Sequence, residues 1–181
     1  HFSNIKIDIC EPYRKMSFRN RCVVAGSNGL IHLSVPLENG RAQKQPVRDV
    51  RISYSGDWQL QHWRTIESCY NRSPFFEYYR TWLEGFFSKR FTFLADMNME
   101  VLEWVQQQVK LKAVISVTDV YLKTYPGETL DLRGYFMPKN FQSPAVAGEP
   151  IRYTQVFADR IGFQPNLSVL DLLFCCGPQA H

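Results

Sequence analysis

Arg19-Asn20-Arg21-Cys22-Val23-Val24-Ala25-Gly26-Ser27-Asn28-Gly29-Leu30-Ile31-His32-Leu33-Ser34-Val35 is the stretch from which the rest of the chain can be read outward. Two apolar runs, Arg19 to Ala25 and Leu30 to Val35, flank Asn28-Gly29, the strongest short hairpin signal. A type I′ turn at those two residues predicts Ser27 opposite Leu30, Val24 opposite Leu33 and Cys22 opposite Val35. Because side chains alternate between the faces of a strand, Cys22, Val24, Ile31, Leu33 and Val35 then share the core face, with Arg19, Arg21, Val23 and His32 on the other. Asn20 projects inward beside Cys22 and needs hydrogen-bond partners there. Upstream, Ile5, Ile7 and Ile9 alternate with Lys6 and Asp8; downstream, in the run Val47 to Tyr54, Val50, Ile52 and Tyr54 alternate with Asp49, Arg51 and Ser53. Four strands in a mostly antiparallel sheet are expected.

From Asp57, a plausible N-cap, the period becomes helical. Trp58, His62, Trp63, Ile66, Cys69 and Tyr70 fall on one arc, and Gln61, Arg64, Ser68 and Asn71 on the opposite one. Ser73-Pro74 predicts the opening of a second helix with the stripe Phe75, Tyr79, Trp82, Leu83 and Phe86. A third helix runs from near Asp96 or Asn98 through Val101, Leu102, Val105 and Val109, followed by a strand from Ala113 to Val117. The fold class expected is therefore α+β, a single domain over residues 1–181. Four prolines (Pro126, Pro138, Pro144, Pro150) and three glycines (Gly127, Gly134, Gly148) mark 125–150 as a long irregular connection. Beyond it come a short helix from Gln155 to Ile161, ended by Gly162, and a last helix with Ser168 as N-cap. Asp171 completes a capping box, Leu167 and Leu172 form a hydrophobic staple, and Gly177-Pro178 is the stop.

The 181 residues are 45% hydrophobic, 21% charged and 14% aromatic, which excludes intrinsic disorder. Apolar runs such as Ala113 to Val117 or Leu172 to Cys176 fall far short of the roughly 18 residues of a membrane span. A net charge of +4 is too mild for heavy phosphate neutralisation, so nucleic acid is not the expected partner; a small anionic ligand suits it. Cys10, Cys22, Cys69, Cys175 and Cys176 form no C-x-x-C pair, and no signal segment is recognisable at His1. Both points favour a reducing cytoplasm.

The chemistry-bearing residues are few. His62, flanked on its arc by Trp58 and Ile66, reads either as a general base in an aromatic pocket or as a buried histidine with one satisfied nitrogen. Neither a second histidine nor a carboxylate at helical spacing joins it to hold a metal, so no metal is expected. Cys69 lies about 10 Å further along the same helix, too far for a thiolate–imidazole bond. In Tyr13, Arg14, Lys15, Phe18, Arg19, Asn20 and Arg21, cations and aromatics interleave at the entrance to a strand: an anion clamp or a solvated face. In Asn71 to Tyr79, aromatic rings surround Glu77. Phosphate loops, dinucleotide-binding glycines and nucleophile elbows are missing, so no cofactor is expected.

Glu11-x-Tyr13-x-Lys15-x-x-x-Arg19-Asn20-Arg21-Cys22, Leu33-Ser34-Val35-Pro36, Trp58-x-x-x-His62-Trp63-Arg64-x-Ile66-Glu67-Ser68-x-Tyr70, Ser73-Pro74-Phe75-Phe76-Glu77-Tyr78-Tyr79 and Asp96-x-Asn98, in this order and spacing, resemble the WbqC-like family. The resemblance runs from about residue 7 to 177. It implies an origin among bacterial surface-polysaccharide (O-antigen) genes and a role in transferring a glycine or similar group to a sugar. It also implies an N-terminal segment with a Gln/Tyr-Phe-Pro type motif ahead of His1.

Joined, the two readings give a pocket between the Arg19, Asn20 and Arg21 strand and the Trp58, His62 and Tyr70 helix face. Catalysis is expected from His62 with Glu11 or Glu77, and substrate binding from Tyr13, Lys15, Arg19, Asn20, Arg21, Trp58, Tyr70 and Asn98. Because Arg19 and Arg21 point away from Asn20, Asn20 is the strand residue expected beside His62. The function expected is a cytoplasmic transferase moving an aminoacyl or acyl group to a sugar. The alternative is a non-catalytic module binding an anionic sugar nucleotide or RNA.

Overall fold

The computed structural model describes residues 3–40, 43–125 and 127–180. The α+β class stands, with small sheets and the helices in the expected order. Strands β2 (Arg21–Gly26) and β3 (Gly29–Ser34) form the hairpin, with Cys22 opposite Leu33 and Val24 opposite Ile31. The loop is Ser27-Asn28, not Asn28-Gly29. Neither loop residue has a positive φ, whereas Gly29 does, at 133°, so the freedom of glycine is used one residue after the loop. The pairing differs from expectation by two residues, and a two-residue slip keeps every side chain on its face.

The other strands correct the expectation of one mostly antiparallel sheet. β1 (Asn4–Ile7) pairs in parallel with β4 (Val114–Val117), making a second two-stranded sheet apart from the hairpin. The first run ends because Asp8 Oδ1 accepts from the backbone N–H groups of Cys10 (3.1 Å) and Glu11 (3.0 Å), which bends the chain. Val47 to Tyr54 is not a strand. It begins as a 3-10 turn, Val47–Asp49, and then makes only single bridges, Leu37 to Ile52 and Arg51 to Phe93. Its alternation is real, with Val50 and Ile52 buried, but its backbone bonds go to several segments: Arg48 N–H to Ile9, Ile52 N–H to Thr92 and Ser53 N–H to Pro36.

Helices α1 (Trp58–Tyr70), α2 (Phe76–Ser88) and α3 (Leu94–Gln108) follow. Asp57 holds the N-cap position of α1 without a capping bond, and α2 opens at Phe76, not at Pro74, because the Ser73 hydroxyl bonds to Tyr70 O at 2.7 Å. Ile66, Tyr70, Phe76, Tyr79, Leu83, Trp104 and Phe174 build one core beneath the hairpin. Tyr13, Val35, Val50, Ile52, Trp58, Phe86, Leu94 and Met97 build a second, and Trp82 and Phe87 touch both. Twelve of the 26 aromatic residues lie between Trp58 and Phe93 and supply much of this packing; Trp82 stacks on Trp104 at 4.0 Å.

The 125–150 connection is irregular apart from the turn-long α4 (Pro144–Ala147); Pro126, one of its markers, lies outside the described residues. It is anchored by Arg133, which bonds Asp8 (2.7 Å), Asp131 (2.6 Å) and Leu122 O (2.8 Å) and lies over the rings of Tyr121 and Tyr125. After α5 (Ala158–Ile161), α6 (Val169–Cys176) is capped by Ser168, whose Oγ accepts from Leu170 N–H. Asp171 does not complete a capping box. Its side chain turns inward, fully buried, and accepts from the hydroxyls of Tyr70 (2.7 Å) and Tyr153 (2.7 Å). The Tyr70 oxygen also accepts from Ala25 N–H at 3.0 Å, so one hydroxyl joins α1, β2 and α6. Tyr70→Phe strands both partners, and we expect it to cost about 1–3 kcal/mol. Urea unfolding checks this through a lower midpoint at unchanged slope.

Candidate functional site

The bend at Asp8 sends Glu11 into the interior. Val47 N–H bonds to Glu11 O (3.0 Å) and Tyr13 N–H to Gln45 O (2.9 Å), which hold this segment against 45–47. Glu11 is 4% exposed; its Oε1 accepts from the Arg19 guanidinium, while Oε2 has no hydrogen-bond partner among the described residues. Arg19 reaches Glu11 from the short turn Phe18–Asn20. The Arg19 carbonyl accepts from Asn98 Nδ2 on α3 at 2.8 Å. Buried Tyr13 donates to Asn20 Oδ1 (3.0 Å), and Asn20 donates to Val35 O (2.8 Å), which supplies the partners its inward position demands. Arg21 follows, with its Nε buried and without a hydrogen-bond partner among the described residues.

Glu11, Tyr13, Arg19, Asn20 and Asn98 thus form one cluster, and Asn98, though not the other four, also lines a cleft of about 400 Å³. Ile7, Ile9 and Val47 make one wall, and Asn98 and Leu102 of α3 the other, with Val169 of α6 at the side. Asn98 belongs to both cluster and cleft, and Val47 is tied directly to the Glu11 backbone. Chemically the cluster offers a buried carboxylate oxygen without a donor among the described residues, its partner oxygen held by a guanidinium, with Asn98 and the Val47 backbone connecting it to the apolar cleft.

The remaining expected site residues lie elsewhere. Trp58 is buried, its Nε1 without a hydrogen-bond partner among the described residues, and His62 packs edge-on against it (5.2 Å) and against Phe87 (6.4 Å). Burial pushes the His62 imidazole below its usual 6.5, and no hydrogen bond to it occurs among the described residues. Asn20, expected beside His62, spends its amide on Tyr13 and Val35. Tyr70 is fully enclosed, tied to Asp171 and packed on Phe174. Lys15 is exposed, and Glu77 is an exposed partner of Arg80, which also binds Glu67 and Glu84. Sequence reasoning missed Asp8 and Arg133. An Asp ahead of Glu11-Pro12 was a usable turn signal, whereas nothing local marks Arg133.

The WbqC-like protein family model matches residues 8–132. The chain belongs to this family. The matched span carries the whole Glu11–Asn98 cluster and His62, while α6 with Asp171 lies beyond it. Among relatives, the WbqC-like chain is 25% identical over 190 residues to "Uncharacterized protein Rv1507c" of Mycobacterium tuberculosis, covering 93% of this chain and 81% of that protein. No solved structure matches it. No helix among the described residues is long and apolar enough to cross a membrane.

Removing one member of a buried ion pair strands the other. Arg19→Met, which leaves the Glu11 carboxylate uncompensated, is expected to cost about 3–5 kcal/mol. Glu11→Gln should cost less, because Arg19 keeps an acceptor and reaches solvent; chemical denaturation of the two variants checks the order. For His62, a depressed pKa means that the unfolded chain takes up a proton near pH 6.5 before the native state does. Its contribution to stability is present above pH 6.5 and lost as pH falls toward the depressed value. NMR titration should place the His62 ring protons below 6.5, and His62→Gln should flatten the stability loss on acidification.

Proposed function

We propose that this chain transfers an acyl or aminoacyl group to a sugar amine or hydroxyl during bacterial surface-polysaccharide assembly. The observation that carries this reading is the buried Glu11 Oε2, without a hydrogen-bond partner among the described residues, held through Oε1 by Arg19 and connected through the Arg19 backbone and Asn98 to an apolar cleft. A carboxylate so placed accepts the proton of an attacking amine or hydroxyl within hydrogen-bond reach. As that proton moves to Oε2, the nucleophile's electron pair forms the new C–N or C–O bond to the acyl carbon. The bond from acyl carbon to donor breaks, and the leaving group takes its electron pair and then the proton from Glu11. The cleft walls of Ile7, Ile9, Val47 and Leu102 receive the apolar part of the transferred group, and the Asn98 amide marks the polar end. Glu11, not His62, takes the base role, because Glu11 keeps a carboxylate oxygen without a partner among the described residues and connects to this cleft through Arg19 and Asn98, while the His62 ring is packed between Trp58 and Phe87.

A general base contributes about 10²–10⁴-fold to a rate. A strain whose gene carries Glu11→Gln should therefore lose one acyl or aminoacyl substituent from its surface polysaccharide while the folded protein accumulates normally. Mass spectrometry of the polysaccharide reads the outcome, and an unaltered composition would overturn the assignment.

A further inference from the structure

A second cleft of about 400 Å³ lies between the start of α1 and the end of α2, apart from the Glu11 cluster. Three half-buried aromatic rings line it, Tyr54, Trp63 and Phe87, together with three charged groups, Asp57, Glu84 and Arg90. The volume falls in the range of roughly 300–1,000 Å³ typical of small-molecule sites.

The walls are fixed before any ligand arrives. Gln59 Nε2 donates to Phe87 O at 2.8 Å and also to Lys89 O, joining the start of α1 to the end of α2. The Tyr54 hydroxyl accepts from Phe91 N–H (2.8 Å) and donates to Phe91 O (3.1 Å). Trp63 is held in a stack on Phe76 (6.0 Å, 17°). The polar groups are uncommitted by contrast. Asp57 stands at the N-cap of α1 yet makes no capping bond, and among the described residues neither it nor Arg90 has an ion-pair partner. Arg90 rests over the Tyr54 ring at 5.0 Å. Glu84 is bound through one oxygen, Oε1, to Arg80.

We infer that this cleft binds the uncharged pyranose ring of a sugar. Two carboxylates against one guanidinium disfavour a phosphate or carboxylate ligand, and a purely apolar group would leave Asp57 and Arg90 desolvated without partners. A pyranose meets both demands. Its C–H faces lie against the electron-rich faces of aromatic rings, and its equatorial hydroxyls donate to carboxylates and accept from guanidinium N–H groups. The assignment stands on the cleft alone and does not depend on the reaction above.

Saturation-transfer NMR with the methyl glycosides of glucose, galactose and N-acetylglucosamine tests it on the intact chain. At least one glycoside should receive saturation, with an affinity that falls by about fivefold or more, the loss of one hydrogen bond, in both Asp57→Ala and Arg90→Ala. Both side chains are exposed, so both variants should fold, and Trp63→Leu should abolish the signal if its thermal transition is retained. Glu11→Gln should leave the signal intact. No transfer from any of the three glycosides overturns the inference, as does a smaller loss in either surface variant or a loss in Glu11→Gln. An unaltered polysaccharide in the Glu11→Gln strain, with glycoside binding preserved, removes the transferase reading and leaves the sugar site standing.

Discussion

Asp171 is a carboxylate without access to water, and the arrangement of the hairpin, α1 and α6 depends on how it is satisfied. Burying such a group is costly unless donors surround it. The Tyr70 and Tyr153 hydroxyls supply them at 2.7 Å each, and the Tyr70 oxygen passes the constraint on to Ala25 N–H in β2. Burial still holds the Asp171 carboxyl above its ordinary 3.8, so desolvation outweighs the hydrogen bonds. A group this expensive tolerates few alternative packings, which ties α6 to α1 in one register. Gly177 closes the same region, with a φ of +57° and the Phe75 ring packed where a Cβ would stand.

Glu11 shows the opposite use of a buried carboxylate. It too is removed from water, but among the described residues only one of its oxygens is matched, by Arg19. Around it hydrogen bonds brace the chain: Asp8 bends it, Arg133 clamps Asp8, and Asn98 holds the Arg19 backbone. An unmatched buried acceptor leaves part of its desolvation cost uncompensated.

Much of the architecture was legible because local periodicity survives errors of detail. The three long helices followed from the 3.6-residue spacing of Trp58 to Tyr70, Phe75 to Phe86 and Val101 to Val109. The hairpin faces survived a two-residue error in register, since strand side chains repeat every two residues. The misreadings came where a local pattern has more than one tertiary cause. Val50 and Ile52 alternate with polar residues because a threaded segment buries every second side chain, as a strand does. Ile5 and Ile7 announce a strand but not a partner. For the candidate site, Tyr13, Arg19 and Asn20 stood out by type and spacing and Glu11 and Asn98 through the family resemblance, yet nothing in the sequence joins Asn98 to the Arg19 carbonyl. Trp58 and His62 were readable as neighbours, being one helical turn apart.

The sequence by itself determined the α+β class, the order of the helices, the hairpin and the residue types available for chemistry, because each rests on interactions among residues close in the chain. Only the tertiary structure decided that β1 pairs in parallel with β4 and that Asp171 faces inward to two tyrosines. It alone brought the Glu11–Arg19 pair against α3. Those outcomes depend on long-range hydrogen bonds and on the exclusion of water, and both arise only when distant segments pack together.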